Sequence, residues 1–352
     1  MQDHHRNHGN HISQKDIKLS NISLDLPDIQ TPLNALLGIR YPIIMAPMFL
    51  VSNVSMVVEA TKAGITGAIP ALNYRTDKEL RNALAELKEK SHGPIGINLI
   101  ANKSNIRLKD QLQSCLDHKV DYVITSLGKP DHIIQKCHDK GIRVFCDVID
   151  EVYGNKVSVL QPDGLIAVNK DAGGHAGKLS SRELIHRLQI VTDLPIISAG
   201  GVGNGQQLKE KLDEGACGIS MGSPFIATVE SPVSQEYKDA CIHYSAKDIV
   251  MTTKLSGTPC TVINTPYVKS TGTKQNVLEA FLNKNRRFKK VAKMITFYKG
   301  MQSLKKAAFT STYQTLWCAG PSIEHVHEIL PVGKLVEKLL TEYISASGLV
   351  VN

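Results

Sequence analysis

The sequence predicts an α/β fold of the (β/α)8 class, a TIM barrel, carrying a helical C-terminal cap. Three observations predict it. From Tyr41 onward, short β-like runs alternate with amphipathic helical stretches, as in a parallel sheet wrapped by helices. Eight such runs fit between Tyr41 and Met221, the number that closes such a barrel. A doubly wound open sheet is the alternative, because counting strands does not show closure. Glycine-rich turns follow the last three runs: Asp171-Ala-Gly-Gly-His175-Ala-Gly177, Ser198-Ala-Gly-Gly-Val-Gly203 and Met221-Gly-Ser-Pro-Phe225.

Residues 1–30 are polar and aperiodic, the pattern of a mobile tail. Tyr41–Met48 reads as the first strand and Val54–Gly64 as its helix, with Gly64 at the stop position. Thr66–Ala71 is the second strand. Thr76-Asp-Lys-Glu79 fits a capping box and opens a helix that aligns Leu80, Leu84 and Leu87 on one face. Pro94–Ile100, Asp121–Leu127 and Arg143–Ile149 are strands three to five, with helices at 106–119 and 130–140. The connection at 151–161 is the least helical of the set. Leu165–Lys170, Pro195–Ala199 and Cys217–Met221 complete the eight, with helices at 180–192 and 204–214. Beyond Ser231 the alternation gives way to helical stretches broken by Gly257-Thr-Pro259 and Thr265-Pro266. A final helix spans about Val332 to Ser345, where Val336, Leu339, Leu340 and Tyr343 recur at helical spacing. The expected organisation is thus a tail at 1–30, a barrel at 31–230, and a cap with C-terminal return at 231–352.

Composition sets the broad class. Of the 352 residues, 42% are hydrophobic and 21% charged, enough apolar material for a substantial core. There is no apolar run of membrane-spanning length and no charged-then-apolar leader, so the expected location is the cytoplasm, with no membrane partner. Seven cysteines lack a CxxC pair and read as reduced thiols. The net charge of +8 is concentrated: nine Lys and Arg residues and no acid lie between Lys284 and Lys306. A solvated helix face is its first reading, with contact to an acidic carrier protein as the alternative and no nucleic-acid partner expected. His4, His5, His8 and His11 have no carboxylate or cysteine framework around them, so no metal site is expected.

The turns carry the chemistry. In a (β/α)8 barrel the active site lies at the C-terminal strand ends, and phosphates commonly sit after strands seven and eight. Gly200-Gly-Val-Gly203 and Gly222-Ser223 occupy those positions. Glycine permits positive φ and close backbone approach, so several N–H groups can converge on one phosphate, with Ser223 as a further donor. The spacing lacks the G-x-G-x-x-G of a dinucleotide-binding fold, and no separate nicotinamide domain is visible.

Tyr41-Pro-Ile-Ile-Met-Ala-Pro-Met48, Gly96-Ile-Asn-Leu99, Gly173-Gly-His-Ala-Gly177, Ala199-Gly-Gly-Val-Gly203 and Met221-Gly-Ser-Pro-Phe225 occur in this order. In this the chain resembles the nitronate monooxygenase family, formerly the 2-nitropropane dioxygenases. The likeness covers about Leu36 to Thr228 and resumes at Cys318-Ala-Gly-Pro-Ser322. It implies FMN at the barrel mouth, flanked by Ala46, Pro47, Met48 and Asn98. The phosphate would rest on Gly200, Gly201, Gly222 and Ser223; Gly173, Gly174, Ser126 and Ser198 complete the expected cofactor contacts. Two departures stand out. Phe49-Leu50-Val51 replaces a glycine-containing loop common in the family, and Cys146-Asp147 replaces a lysine-bearing segment of some members.

The resemblance places His175 over the flavin as the catalytic residue. An imidazole titrates near neutrality and can move a proton at physiological pH. The leading expectation is oxidation of alkyl nitronates with O2 to a carbonyl compound and nitrite. The related FMN-dependent enoyl-ACP reductases carry a similar Gly-Gly-His-x-Gly turn, so NAD(P)H-dependent reduction of an enoyl thioester or quinone is the alternative. A non-catalytic barrel that binds a phosphorylated ligand is the alternative of another class.

Overall fold

The computed structural model describes residues 26–253, 259–273 and 316–348. The Lys284–Lys306 segment, the four N-terminal histidines and most of the expected tail lie outside the described residues. The last residues of that expected tail are packed: Leu26 and Ile29 are buried, and Arg40 pairs with Asp28 at 2.6 Å. A short helix, α1 (Pro32–Leu37), follows and sets Leu33 into the lower end of the barrel.

The eight expected strands form a closed parallel barrel. They are β1 (Ile43–Met45), β2 (Thr66–Pro70), β3 (Ile95–Ile100), β4 (Tyr122–Ser126), β5 (Arg143–Val148), β6 (Gly164–Val168), β8 (Ile196–Ala199) and β9 (Gly218–Met221), with β9 pairing back on β1 through Ile219 and Ile43. Strand residues alternate between two environments, as the pleat requires. Ile44, Ala68, Ile124, Phe145, Ile166 and Ile197 fill the barrel interior, while Ile43, Ile97, Val123, Val144, Leu165 and Ile219 meet the surrounding helices. Gly96 leaves the space that the Tyr122 ring occupies: a Cβ there would lie 2.2 Å from it. The lower end is therefore plugged, and the opposite end stays open.

The outer helices are α2 (Val54–Lys62), α3 (Asp77–Lys90), α4 (Leu108–Asp117), α5 (Asp131–His138), α6 (Glu151–Ser158), α7 (Ser181–Val191) and α8 (Gly205–Asp213). Helix α3 carries the expected capping box between Thr76 and Glu79. Helix α6 occupies the connection that the sequence marks as least helical. The Asp150 side chain accepts the Tyr153 N–H and starts it. Gly154 then lets it lie close to α7, since a Cβ there would be 2.3 Å from Leu188. Tertiary packing outweighs the weak local propensity.

The eighth outer position is filled from far along the chain. The last helix, here α12 (Val332–Ser347), packs between α8 and α2. The described residues between β9 and α12 thus form an insertion at the barrel mouth. Its two ends are tied together, with Val229 N–H donating to Leu330 O at 3.0 Å. Besides α9 (Ser223–Ile226), α10 (Gln235–His243) and α11 (Pro266–Thr271), the insertion holds two strands that the sequence reading does not anticipate. These are β10 (Ile249–Thr252) and β11 (Cys260–Ile263), which join β7 (Gly174–His175) in an antiparallel sheet of order β10-β11-β7.

Candidate active site

The open end of the barrel and the inserted cap enclose a cavity of about 640 Å³. On one side lie the glycine turns. Gly200 and Gly201 adopt φ of 109° and 75°, conformations that side-chain-bearing residues seldom take. A Cβ on Gly200 would lie 2.5 Å from both Ala172 N and Asn169 Oδ1. Asn169, fully buried, pins two turns together: its Nδ2 donates to Gly200 O at 3.0 Å and its Oδ1 accepts Asp171 N–H at 2.8 Å. Gly222 faces Met48, with Sδ 3.3 Å from where a Cβ would sit. Ser223 Oγ accepts the Gly320 N–H at 2.8 Å, which brings the late Cys318–Ser322 segment into the same wall. These glycines keep open a backbone-lined cradle that side chains would fill, the geometry that suits a phosphate.

On the other side, three adjacent strands contribute a polar arc. Asn98 Nδ2 donates to Ser126 Oγ at 2.7 Å, and Ser126 Oγ–H donates to Asp147 Oδ2 at 2.5 Å. All three line the cavity. Asp147 is half-buried. Burial pushes its pKa up to about 6, with the Ser126 hydrogen bond opposing.

His175 stands between the two sides. Its turn is held as β7, with His175 opposite Cys260 and Gly174 opposite Thr261. The Thr261 hydroxyl reinforces the clamp by donating to Ala172 O at 2.7 Å. The ring opens onto the cavity. Desolvation by the surrounding protein lowers its pKa, so the neutral imidazole, able to accept or return a proton, prevails at physiological pH.

Of the expected site residues, the cavity gathers His175, Ala46, Pro47, Met48, Asn98 and Ser126, together with Gly173, Gly174, Gly200, Gly201, Gly222 and Ser223. Ser198 is not among them. It lies between the inward Ile197 and Ala199, so the pleat turns it outward, where its Oγ meets Ser181 Oγ of α7 at 3.2 Å. The departure at Phe49-Leu50-Val51 keeps a tight loop without glycine. Leu50 takes φ of 60°, its N–H held by Asn73 Oδ1 at 2.9 Å. Sequence reading passed over Asn169 and Asp147 as site residues. Strand parity supplies the missing signal for Asp147, which stands two residues after the inward Phe145 at the open strand end. Among the described residues, no cluster of His, Cys, Asp and Glu is arranged to hold a metal.

Comparisons with known proteins agree with this architecture. The chain is 26% identical over 329 residues to a (3aS,4S,5R,7aS)-5-hydroxy-7a-methyl-1-oxo-octahydro-1H-indene-4-carboxyl-CoA dehydrogenase of Rhodococcus jostii, spanning 92% of this chain and 90% of that one. It is 24% identical to a probable nitronate monooxygenase of Staphylococcus saprophyticus, over 68% of this chain and 80% of the relative. The structure of FabK from Thermotoga maritima superposes with a TM-score of 0.79 at 26% identity, covering 91% of this chain and 98% of that one. The nitronate monooxygenase family model matches residues 104–342. With its closed barrel and its glycine-lined mouth, the chain belongs to the nitronate monooxygenase family.

Proposed function

We propose that the protein is an FMN-dependent oxidoreductase whose substrate is a thioester with an uncharged, largely apolar acyl portion, reduced at the expense of NAD(P)H. The carrying observation is the make-up of the cavity wall. No described residue that lines it is Lys or Arg, whereas apolar side chains such as Phe49, Leu72, Ile100 and Ile149 line much of it. A small anion would find no side-chain countercharge among these described residues, and an apolar chain would find favourable contact. The likeness over nine-tenths of the chain to a carboxyl-CoA dehydrogenase supports the same substrate class.

The glycine cradle fits the cofactor's phosphate: Gly200, Gly201, Gly222 and Ser223 would hold it, with Asn98 and the Ala46–Met48 segment toward the ring. Bound there, FMN supplies the hydride exchange. The chain's own residues do the rest. His175 would relay a proton taken up from solvent to the carbon α to the thioester carbonyl, while the hydride goes to the β carbon. The cap sheet holds the backbone of His175 in place.

Oxidation of alkyl nitronates with O2 is the second reading, favoured by the family model over 104–342. A spectroscopic experiment separates the two. Anaerobic NAD(P)H should bleach the flavin of the loaded protein, and an enoyl thioester should restore it. Absence of bleaching, together with nitrite release from propionate 3-nitronate in air, would overturn the thioester reading in favour of the second.

A further inference from the structure

Among the described residues three aspartates line the cavity, and two of them are already engaged. Asp150 accepts the Tyr153 N–H at 2.7 Å as the cap of α6, and Asp171 pairs with Lys170 at 3.1 Å. Asp147 differs. Its resolved partner is the Ser126 hydroxyl, itself backed by Asn98, so two successive donors point toward the carboxylate. Among the described residues, the titratable groups that interact with it are the Cys146 thiol on its own strand and the Tyr153 phenol on α6, both with pKa values raised by burial and hence neutral. Around neutral pH an ionised Asp147 therefore puts a negative charge in the wall of an apolar cavity whose described lining holds no Lys or Arg. Coulombic interaction in such surroundings is screened far less than in water and acts without direct contact.

We propose that Asp147, positioned by Ser126 and Asn98, is a specificity-determining residue that selects the charge of the ligand, so that the site admits uncharged head groups and rejects carboxylates and other small anions of the same shape. This deepens the function proposed above and rests on the cavity being the substrate site. Rejection comes from the like charge. Acceptance of a neutral head group comes from the carboxylate's capacity to take a hydrogen bond from an N–H or O–H.

Octanamide and octanoate match in shape and differ in charge, and their binding to the FMN-loaded protein can be titrated by calorimetry. At pH 8 the amide should bind at least about tenfold tighter to the wild type, and Asp147→Asn should bring the two within about twofold. A wild-type preference below about twofold, or one that persists in Asp147→Asn, overturns the proposal.

Ser126→Ala provides a variant that keeps the carboxylate and removes its donor. The amide preference should develop as pH rises through the titration of Asp147, in a range where octanoate is already ionised. In Ser126→Ala that midpoint should move to higher pH, and an unmoved midpoint also overturns the proposal. If the protein takes up no FMN, the flavin reading of the preceding section falls. The same titration on the cofactor-free protein still reads the charge selection.

Discussion

His175 and Asp147 share one cavity, where His175 is exposed and Asp147 half-buried, and desolvation drives both toward the neutral form, with opposite consequences for their pKa values. For Asp147 the folded-state value of about 6 lies above the ordinary 3.8. The folded protein therefore holds more of that proton between the two values, and its contribution to stability falls as pH rises through this window. Asp147→Asn should accordingly be more stable than the wild type at pH 8, by about 1–2 kcal/mol once screening by cavity water is allowed for, and the difference should close near pH 4. Urea unfolding at the two pH values checks it. His175 has the reverse sense among bases. Its lowered pKa means that the unfolded chain binds the proton first, so stability is lost as pH falls below the ordinary imidazole value. His175→Ala should retain the yellow colour and lose about 100-fold in kcat, because the ring belongs to the reactive side of the cavity and not to the cradle. Loss of FMN in that variant would contradict this division. At this scale the sequence showed His175 plainly, since its glycine neighbours mark it. Asp147 was hidden because its role depends on Ser126 and Asn98, which only the pairing of neighbouring strands brings within reach.

The glycine turns after β8 and β9 were legible because positive φ and close approach leave a compositional mark. Gly200 is the sharpest case. Gly200→Ala should abolish FMN uptake in an absorbance or fluorescence titration, since the new methyl would need the space of Ala172 N and Asn169 Oδ1 and would also strain a φ of 109°. The antiparallel pair of β10 and β11 was harder to read. Its strands are four residues each, and Gly257-Thr-Pro259 between them looks like a break between helices as readily as a hairpin connection. β11 pairs on one side with β10 and on the other with Gly174 and His175, a contact distant in sequence. Thr261→Val removes the hydroxyl that holds Ala172 O and should cost about 1 kcal/mol. Turnover should fall while cofactor affinity stays, which comparison of kcat with FMN titration would reveal. Helix α6 illustrates the reverse limit: Gly154 and Asn155 lower its propensity, but the Asp150 cap and the fit against Leu188 form it regardless.

For the molecule as a whole, the alternation of strands and helices was enough to indicate eight βα units. It could not show that the eighth helix comes from the end of the chain. That helix, α12, crosses α8 at backbone contact, where a Cβ on Gly205 would lie 2.1 Å from Tyr343 N and 2.3 Å from Leu339 O. Gly205 N–H also donates to Glu342 Oε2 at 2.8 Å. Gly205→Ala should force the helices apart and lower stability by about 2 kcal/mol or more, a clear drop in melting temperature. The placement of α12 also has a consequence for biosynthesis. During translation, the groove between α2 and α8 waits for a helix that leaves the ribosome only after the entire segment from Ala227 to Pro331 has been made. At about 5–20 residues per second, the nascent barrel passes several seconds with that seam uncovered. A chain that stalls inside the insertion would present this apolar seam to chaperones, so the cell's dependence on them should be greatest during those seconds.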